Sequence, residues 1–454
     1  MGVERSGMVF VPRGVACRIE GALRSRRGNP YTPKQLARAA NEILSRLSKV
    51  NSGGLPSQGT SVVAWRDALK PGSEDEGRSL AAAHALLRGP PSFAAASHAL
   101  TRAFGIDPYL LTHKGRLDPP LENFEEKSSN EETGVRVVRV LDWGAGCGSG
   151  SMAAMDVLGA AARRSDSASL PKLELQLDCV EPCDRLRQVG RVVVPEAFWS
   201  QRARRRRGQN AGHYDLVLAC FSLSELGDDR RFNSAVDDLW QMVRPGGVLA
   251  VVEAGNPSGF DSVRRVRDRP WATNPSDSRI LAPCPHWGGC PAAEGEGEWW
   301  CHFAQPWSAA EPIGSSLSGS RGGGLAPAAH WANYARARRG SALALRRSGG
   351  SGQGNHVEKL SYLALQRRGG ESPLSALVGG EAAADREEEE EEEEEGRASR
   401  RRVVGSPRRR GGHILLRVCG AGKEPSGEVV VPKSSGDYAE VRQKRWGDLV
   451  HLVA

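Results

Sequence analysis

The amino-acid sequence predicts an α/β fold, a mostly parallel sheet joined by crossover helices, preceded by a helical region and interrupted by long insertions. Three observations predict it. From Val135 onward, short apolar runs alternate with helix-patterned segments, the signature of βα units. A glycine-rich turn, residues 144–150, separates the first of these runs from the first of these helices. The 54 glycines and 27 prolines in 454 residues are more than a compact fold uses, and they gather between the periodic segments as insertions.

Residues 1–128 read as a helical region. Thr32 and Gln35 form a capping-box pattern, Pro33 suits the first helical position, and Leu36, Ala40, Ile43 and Leu47 recur on one face. A second helix spans about 78–87, where Gly89, Pro90 and Pro91 are expected to break it. Ser92 then caps a further helix carrying Phe93, Ala96, Leu100 and Phe104. This region shows no acid, base or metal constellation, so packing or docking is its expected role.

Residues 129–265 form the expected sheet core. Strands are predicted at 135–142, 173–181, 214–221 and 247–253, with helices at 151–163, 184–192 and 232–243. Residues 266–310 are irregular and rich in Pro, Gly, Cys and Trp, and 311–356 form a partly disordered Gly/Ser/Arg-rich insertion. A late strand of the same sheet is expected at 357–368. A disordered acidic and Arg-rich insertion follows at 369–410, then a last sheet strand with Cys419 and a C-terminal tail at 411–454.

The net charge is +8, and the nine glutamates of 387–395 mask a remainder of +17. Arginine clusters at 202–207, 336–347 and 397–410, a balance that suits a polyanion such as RNA, although solvated loop arginine explains each run alone equally well. No stretch nears the roughly 18 apolar residues of a membrane span, so no membrane partner is expected. Residues 1–30 are basic, which suits organelle import without forming a clear amphipathic presequence. Nine scattered cysteines argue for a reducing compartment, where grouped thiols usually mean metal.

VLDWGAGCGSG, residues 140–150, sets Asp142, Gly144, Gly146 and Gly148 between a strand and a helix, where missing side chains let a ligand approach the backbone. Glu181 ends the next strand, where a carboxylate can accept from both hydroxyls of a ribose. GAGCG with VEP, and RPGG at 244–247, resembles the S-adenosylmethionine-dependent methyltransferase superfamily more than dinucleotide dehydrogenases. Asp142, Gly144, Gly146, Gly148 and Glu181 are therefore the expected cofactor-binding set. No Asn/Asp-Pro-Pro-aromatic loop or paired catalytic cysteine is present, so no catalytic residue is assigned. Cys147, Cys179, Cys183 and Cys220 read as small buried residues, and Glu225 in FSLSEL is a lone carboxylate facing the donor site.

Cys284, Cys290 and Cys301 lie within 18 residues, flanked by Pro283, Pro285 and Pro291. Metal coordination would order a segment that has no core of its own. Cys419 is the natural fourth ligand. Spacing leaves structural zinc and a [4Fe-4S] cluster both open, because neither zinc-ribbon nor ferredoxin pairs are present, and His286 and His302 keep a mixed zinc site possible.

Five segments in chain order resemble one family. They are VLDWGAGCGSG; YDLVLACFSLSEL; VVEAGNPSGF; ILAPCPHWGGCP with CHFAQ; and EKLSYLAL followed by GGHILLRVC and RWGD. The family is the methyltransferase-like protein 17 family of mitochondrial small-ribosomal-subunit factors, which has bacterial relatives. HALLRGPPSFAAASHAL resembles its N-terminal region, so the likeness covers most of the chain outside the low-complexity insertions. The resemblance implies a class I S-adenosylmethionine-dependent methyltransferase-like (Rossmann-like) fold that binds S-adenosylmethionine. It also implies a [4Fe-4S] site to which Cys284, Cys290, Cys301 and Cys419 correspond. A location in the mitochondrial matrix follows from it, with a role in small-subunit assembly through rRNA binding, no DNA partner, and weak or absent methyl transfer. The rival reading is an active rRNA or protein methyltransferase. The glutamate run, the 397–410 arginines and the glycine-rich inserts are not hallmarks of that family.

Overall fold

The computed structural model describes residues 9–11, 15, 18–19, 38–39, 42, 74–105, 135–164, 172–202, 214–284, 286–287, 290, 292, 300–309, 356–370, 374, 400–405, 407–420, 426–444 and 447–451. Most of the helix expected around Leu36 to Leu47, the 336–347 arginines and the 387–395 glutamates lie outside the described residues.

Nine strands build the main sheet: β1 (Val9–Val11), β2 (Val135–Trp143), β3 (Lys172–Val180), β4 (Phe198–Ser200), β5 (Tyr214–Cys220), β6 (Val243–Ala254), β7 (Ser278–Ala282), β8 (Phe303–Ala309) and β9 (His356–Arg367). The spatial order is β1-β8-β9-β6-β5-β2-β3-β4. The strands from β4 to β6 run parallel, and β9 joins β6 antiparallel. This is the class I methyltransferase-like arrangement expected from the sequence, with the strand that leads into the glycine turn near the centre.

Central strands are apolar on both faces, as a sheet covered by helices on both sides requires. Leu216, Leu218, Val248 and Ala250 face one core, with α1 (Glu74–Ala103), α2 (Ser149–Arg164) and α3 (Asp184–Val193). Val217, Ala219, Leu249 and Val251 alternate to the opposite core, with α4 (Asp229–Met242) and α5 (Pro257–Arg267). Asp228 caps α4 by accepting from the Arg231 amide, and Asn256 caps α5 by accepting from the Gly259 amide. A short helix, α6 (Pro270–Thr273), leads from α5 towards β7.

The sequence-based division needs four corrections. First, α1 is continuous through Gly89, Pro90 and Pro91. Each proline removes an intrahelical bond and crowds the preceding turn, but Leu80 to Leu87 and Phe93 to Leu100 are buried on almost every side, and that burial outweighs the local cost. Second, β7 and β8, inside the segment read as irregular, are sheet strands that share one edge of β9 end to end. Third, β10 (Arg400–Val403) and β11 (Arg408–Arg409) are ordered strands within the span expected to be disordered. Fourth, β12 (His413–Gly420) is not a strand of the main sheet. With β10, β11, β13 (Ser426–Pro432) and β14 (Leu449–His451) it makes a separate antiparallel sheet of five strands. Val403, Ile414, Leu416, Val418, Val431 and Val450 form the core of that sheet, together with Val441 of α7 (Tyr438–Val441). Period-two patterning identifies a strand, but not the sheet it joins.

The basic N-terminal stretch is partly built into the fold. Val9–Val11 lies parallel to β8, and Arg18 pairs through both guanidinium nitrogens with Glu196.

Candidate nucleoside cavity and thiol cluster

Two sites stand out, one at each end of the features the sequence singled out. The first is a cavity of about 320 Å³ over the C-terminal ends of β2, β3 and β5, the position at which open α/β sheets bind ligands. Asp142, Gly144, Gly146 and Glu181 all line it, with Trp143, Gln201, Arg202 and the 221–226 turn. Gly148 does not. It stands at φ +88°, and a β-carbon there would meet Val194 Cγ2 at 2.6 Å, so this glycine serves the packing of the loop on α3. Gly146, at φ +56°, adopts a backbone that other residues rarely take and opens into the cavity.

The carboxylates are held in specific ways. Glu181 Oε2 accepts from the Gly146 amide at 2.9 Å and Oε1 from the Cys183 amide at 2.7 Å. Asp142 Oδ2 accepts from the amide and hydroxyl of Ser151, both at 2.8 Å, while Oδ1 is buried with no hydrogen-bond partner. Burial pushes the Asp142 carboxyl up to about 6, against the lowering effect of Ser151. Glu253, at the end of β6, braces the facing turn. Its Oε1 accepts from the amides of Ser222, Leu223 and Ser224 at 3.1, 2.8 and 3.2 Å, and its Oε2 from the Ser224 hydroxyl at 2.7 Å. Phe221 stands at φ +55° in this turn, and Glu225 lines the cavity beyond it. Burial raises the thiols of Cys147, Cys179 and Cys220, which agrees with their reading as packing residues and not as nucleophiles.

Sequence reasoning missed the cavity's third wall. His84, Arg88 and Ser92 of α1 line it. Burial and the nearby Arg88 hold His84 down at about 3, so its ring is neutral. Arg88 sits 4.5 Å over the Phe221 ring and pairs with Glu358 of β9 at 3.2 Å, both side chains almost fully buried. A helix read as packing alone carries no local signal for such a role.

The second site lies where β7 ends and β8 begins. Because both strands pair with β9, the excursion between them starts and finishes at neighbouring points of one strand, which brings Cys284 back near Cys301. Ser361 of β9 donates to the Cys301 carbonyl at 2.7 Å. Cys284, Cys290, Cys301 and Cys419 line one cavity of about 30 Å³, with Arg267, Phe303, Tyr362 and Leu363. The structure therefore brings Cys419, from the second sheet, to the three earlier thiols. Burial drives the Cys301 thiol well above its ordinary value, and the Cys284, Cys419 and Cys290 sulfurs push it the same way. No group of three or more His, Cys, Asp or Glu side chains that could hold a metal ion occurs among the described residues; the sulfurs ring the cavity without being drawn onto a common point.

Two buried arginines and one histidine complete the surroundings. Neither arginine carries a local signal that would mark it as a neighbour of the thiols. Arg267 keeps its charge although burial opposes it, because the Cys284 and Cys290 sulfurs favour the cation. His286 stands between Arg267 and Cys419, with Nε2 3.4 Å from the Cys419 sulfur. His302 turns away, its Nδ1 3.0 Å from the Trp300 carbonyl, and it is absent from the cavity lining. Arg402 donates to the carbonyls of Pro283 and Gly447 at 2.6 and 2.8 Å. Four thiols beside guanidinium groups make the donor chemistry of this cavity soft and its surroundings cationic.

Among relatives, the ribosome assembly protein RSM22, mitochondrial, of Saccharomyces cerevisiae is 27% identical over 125 residues, 20% of each chain. The Rsm22-cox11 tandem protein 2, mitochondrial, of Schizosaccharomyces pombe is 35% identical over 85 residues, 17% of this chain and 11% of that protein. The matched segments thus span a fifth or less of those relatives. Similar solved structures include the YcgJ protein of Bacillus subtilis, with 12% identity, 51% of this chain and 93% of that one covered, and a TM-score of 0.26. An O-methyltransferase family protein of Burkholderia thailandensis has 15% identity, coverage of 52% and 56%, and a TM-score of 0.28. The fold assignment rests on the strand order described above. The profile of the family described as mitochondrial small ribosomal subunit Rsm22 matches residues 136–312 and 325–451, well over half of the chain, and the chain therefore belongs to the Rsm22 family.

Proposed function

We propose that this protein is a mitochondrial small-ribosomal-subunit assembly factor that binds rRNA, holds S-adenosylmethionine in the first cavity, and carries a [4Fe-4S] cluster on Cys284, Cys290, Cys301 and Cys419. The ribosomal and mitochondrial parts rest on family membership. The finer placement beside the methyltransferase-like protein 17 group rests on the five sequence segments. The observation that carries the cofactor reading is the meeting of four thiols, one of them more than a hundred residues away, around a single buried cavity.

In the first cavity, Glu181, which lines it at the end of β3, would accept from a ribose diol. The partnerless Asp142 Oδ1 would accept from an ammonium group, and Gly144 and Gly146 leave room for the ligand along the backbone. S-adenosylmethionine, when bound, supplies an electrophilic methyl group and, whether or not that is spent, free energy that stabilises the folded sheet. Among the described residues, the cavity lining offers little else for transfer. His84 is neutral and buried, the lining thiols are raised, and Asp142 and Glu181 are engaged with Ser151 and the loop amides. Weak or absent methyl transfer follows from that inventory. At the second site the four cysteines would ligate the cluster, with Arg267 beside their negative charge. A cluster, when bound, supplies ordering free energy to the 284–301 excursion.

The test is anaerobic purification followed by iron, sulfide and zinc analysis, then titration with small-subunit rRNA. Near four irons and four sulfides per chain are expected, with RNA affinity falling steeply as salt rises. Stoichiometric zinc without sulfide overturns the cluster. Binding no tighter than that of an unrelated basic protein at matched salt overturns the assembly reading.

A second reading, an active rRNA or protein methyltransferase, is favoured by the Glu253-braced turn that aims Phe221 and Glu225 at the cavity. It requires transfer of label from the cofactor to small-subunit particles, lost when Gly146 is replaced by a bulky residue.

A further inference from the structure

The segment that contains the five-stranded sheet carries a concentration of charge, and apart from Arg402 none of its described cations lies at either cavity. Residues 400–451 hold twelve Lys and Arg against five Asp and Glu, in a chain whose whole net charge is +8. Nine of the twelve are arginine, whose planar fork suits phosphate oxygens and stacks on bases, as lysine does not. Arg408, Arg409 and Arg410 are exposed on β11 and the turn after it, and Arg417, Lys433 and Arg442 are exposed nearby. The Arg408–Glu428 pair, 2.8 Å apart with side chains 56% and 42% exposed, is a surface pair of little strength and leaves Arg408 available to a stronger anion.

The ladder register places apolar surface among these cations. Leu415 lies opposite Arg408 on one side and Val430 on the other, so the three side chains share a face, and Val430 is 56% exposed. Next to them the β11–β12 hairpin turns through Arg410, Gly411, Gly412 and His413. Neither glycine has a positive φ, and a β-carbon on either would meet nothing within 4 Å. Folding does not require glycine at these two positions. What glycine leaves there is bare backbone between arginines, room for a partner to come close.

Arg409 lies opposite the core residue Ile414 and donates to the Arg442 carbonyl at 2.7 Å, so it serves the inner face. We infer that this hairpin and the outer face of β11, β12 and β13 are the RNA-contacting surface, with Arg408, Arg410 and Arg417 on the phosphates and Leu415 and Val430 against sugar or base. The inference rests on the rRNA-binding reading and specifies its surface. An acidic protein would need the charge alone; the arginine bias and the open glycines favour a phosphate backbone.

The experiment uses the full-length holo-protein and a small-subunit rRNA fragment, with affinity measured across a salt series. Gly411→Leu with Gly412→Leu should leave thermal unfolding and S-adenosylhomocysteine binding unchanged while weakening RNA binding by about tenfold or more. Arg408→Gln, Arg410→Gln and Arg417→Gln together should lower the salt slope by about 2 to 3, close to one for each phosphate no longer neutralised. Arg230→Gln with Arg231→Gln, exposed on α4 of the main sheet, should change it little. Hairpin variants that bind rRNA as the parent does overturn this surface while leaving the assembly reading standing. A parent protein with no preference for rRNA overturns that reading itself. Polyglutamate competing as well as RNA at equal charge overturns the choice of RNA in favour of an acidic protein partner.

Discussion

Arg402 and Cys419 face each other across the β10–β12 ladder and lie on the same side of it, where the second sheet meets the cysteine-bearing excursion of the first. One residue brings a thiol to that junction and the other clamps it, through the Pro283 and Gly447 carbonyls. The second sheet is therefore tied to the first beside the cavity that the four cysteines line.

Replacing Arg402 by Met should lower stability by about 2–4 kcal/mol, because two buried carbonyls are deprived of a charged donor. Urea unfolding checks the drop, and the iron content of the purified variant should fall with it. Lysine should not rescue it, since one ammonium head does not reproduce the two-directional fork. A variant with an unchanged midpoint and full metal content would falsify the clamp.

Cys290→Ser and Cys419→Ser should each remove the brown absorbance and reduce iron and sulfide together. Both variants should also bind rRNA more weakly, because the junction between the sheets loosens. If a cluster-free variant bound RNA as well as the parent, the cluster and the RNA surface would be independent.

Glu181→Ala should weaken S-adenosylhomocysteine by about tenfold or more, through the removal of an acceptor for two ribose hydroxyls. Gly148→Ala separates loop packing from ligand binding. Its strained φ and the clash with Val194 should lower the unfolding temperature, and affinity measured on the folded fraction should stay close to that of the parent. Calorimetry combined with thermal unfolding distinguishes the two outcomes.

Stability should depend on pH through Glu253, whose carboxyl burial pushes up to about 7 from an ordinary 4.5. The native state favours the proton, so this contribution is fully present below about 4.5 and is lost as pH rises through about 7. His84 and His98, held down at about 3 and about 4 chiefly by burial, act oppositely, and their contribution is lost as pH falls below 6.5. Glu253→Gln keeps the neutral form at every pH. Its stability should therefore fall less than that of the parent between pH 5 and 7.5, and parallel curves in the two proteins would count against the assignment.

Arg88→Met should cost about 3–5 kcal/mol by removing the cation paired with the buried Glu358 carboxylate, and Arg88→Met with Glu358→Leu should recover much of that deficit. Thermal unfolding of the single and double variants reads the coupling directly. A double variant no more stable than the single one would mean that Arg88 acts mainly through Phe221 and the cavity wall.

Local patterning was enough to read the parallel core, its strand and helix positions, the glycine turn with Asp142, Gly144, Gly146 and Glu181, and the close spacing of Cys284, Cys290 and Cys301. All of these are written in local periodicity, in the ends of predicted strands, or in residue chemistry. Long-range packing set the rest: the Pro90–Pro91 helix stays whole, β12 leaves the main sheet and carries Cys419 to the other thiols, Gly148 packs while its neighbours line the cavity, and His84, Arg88, Arg267 and Arg402 stand at the two sites. The physical reason is common to these cases. Burial and strand pairing are set between segments far apart in the chain, and they can override a local propensity of a few kcal/mol without leaving any mark in the residues beside it.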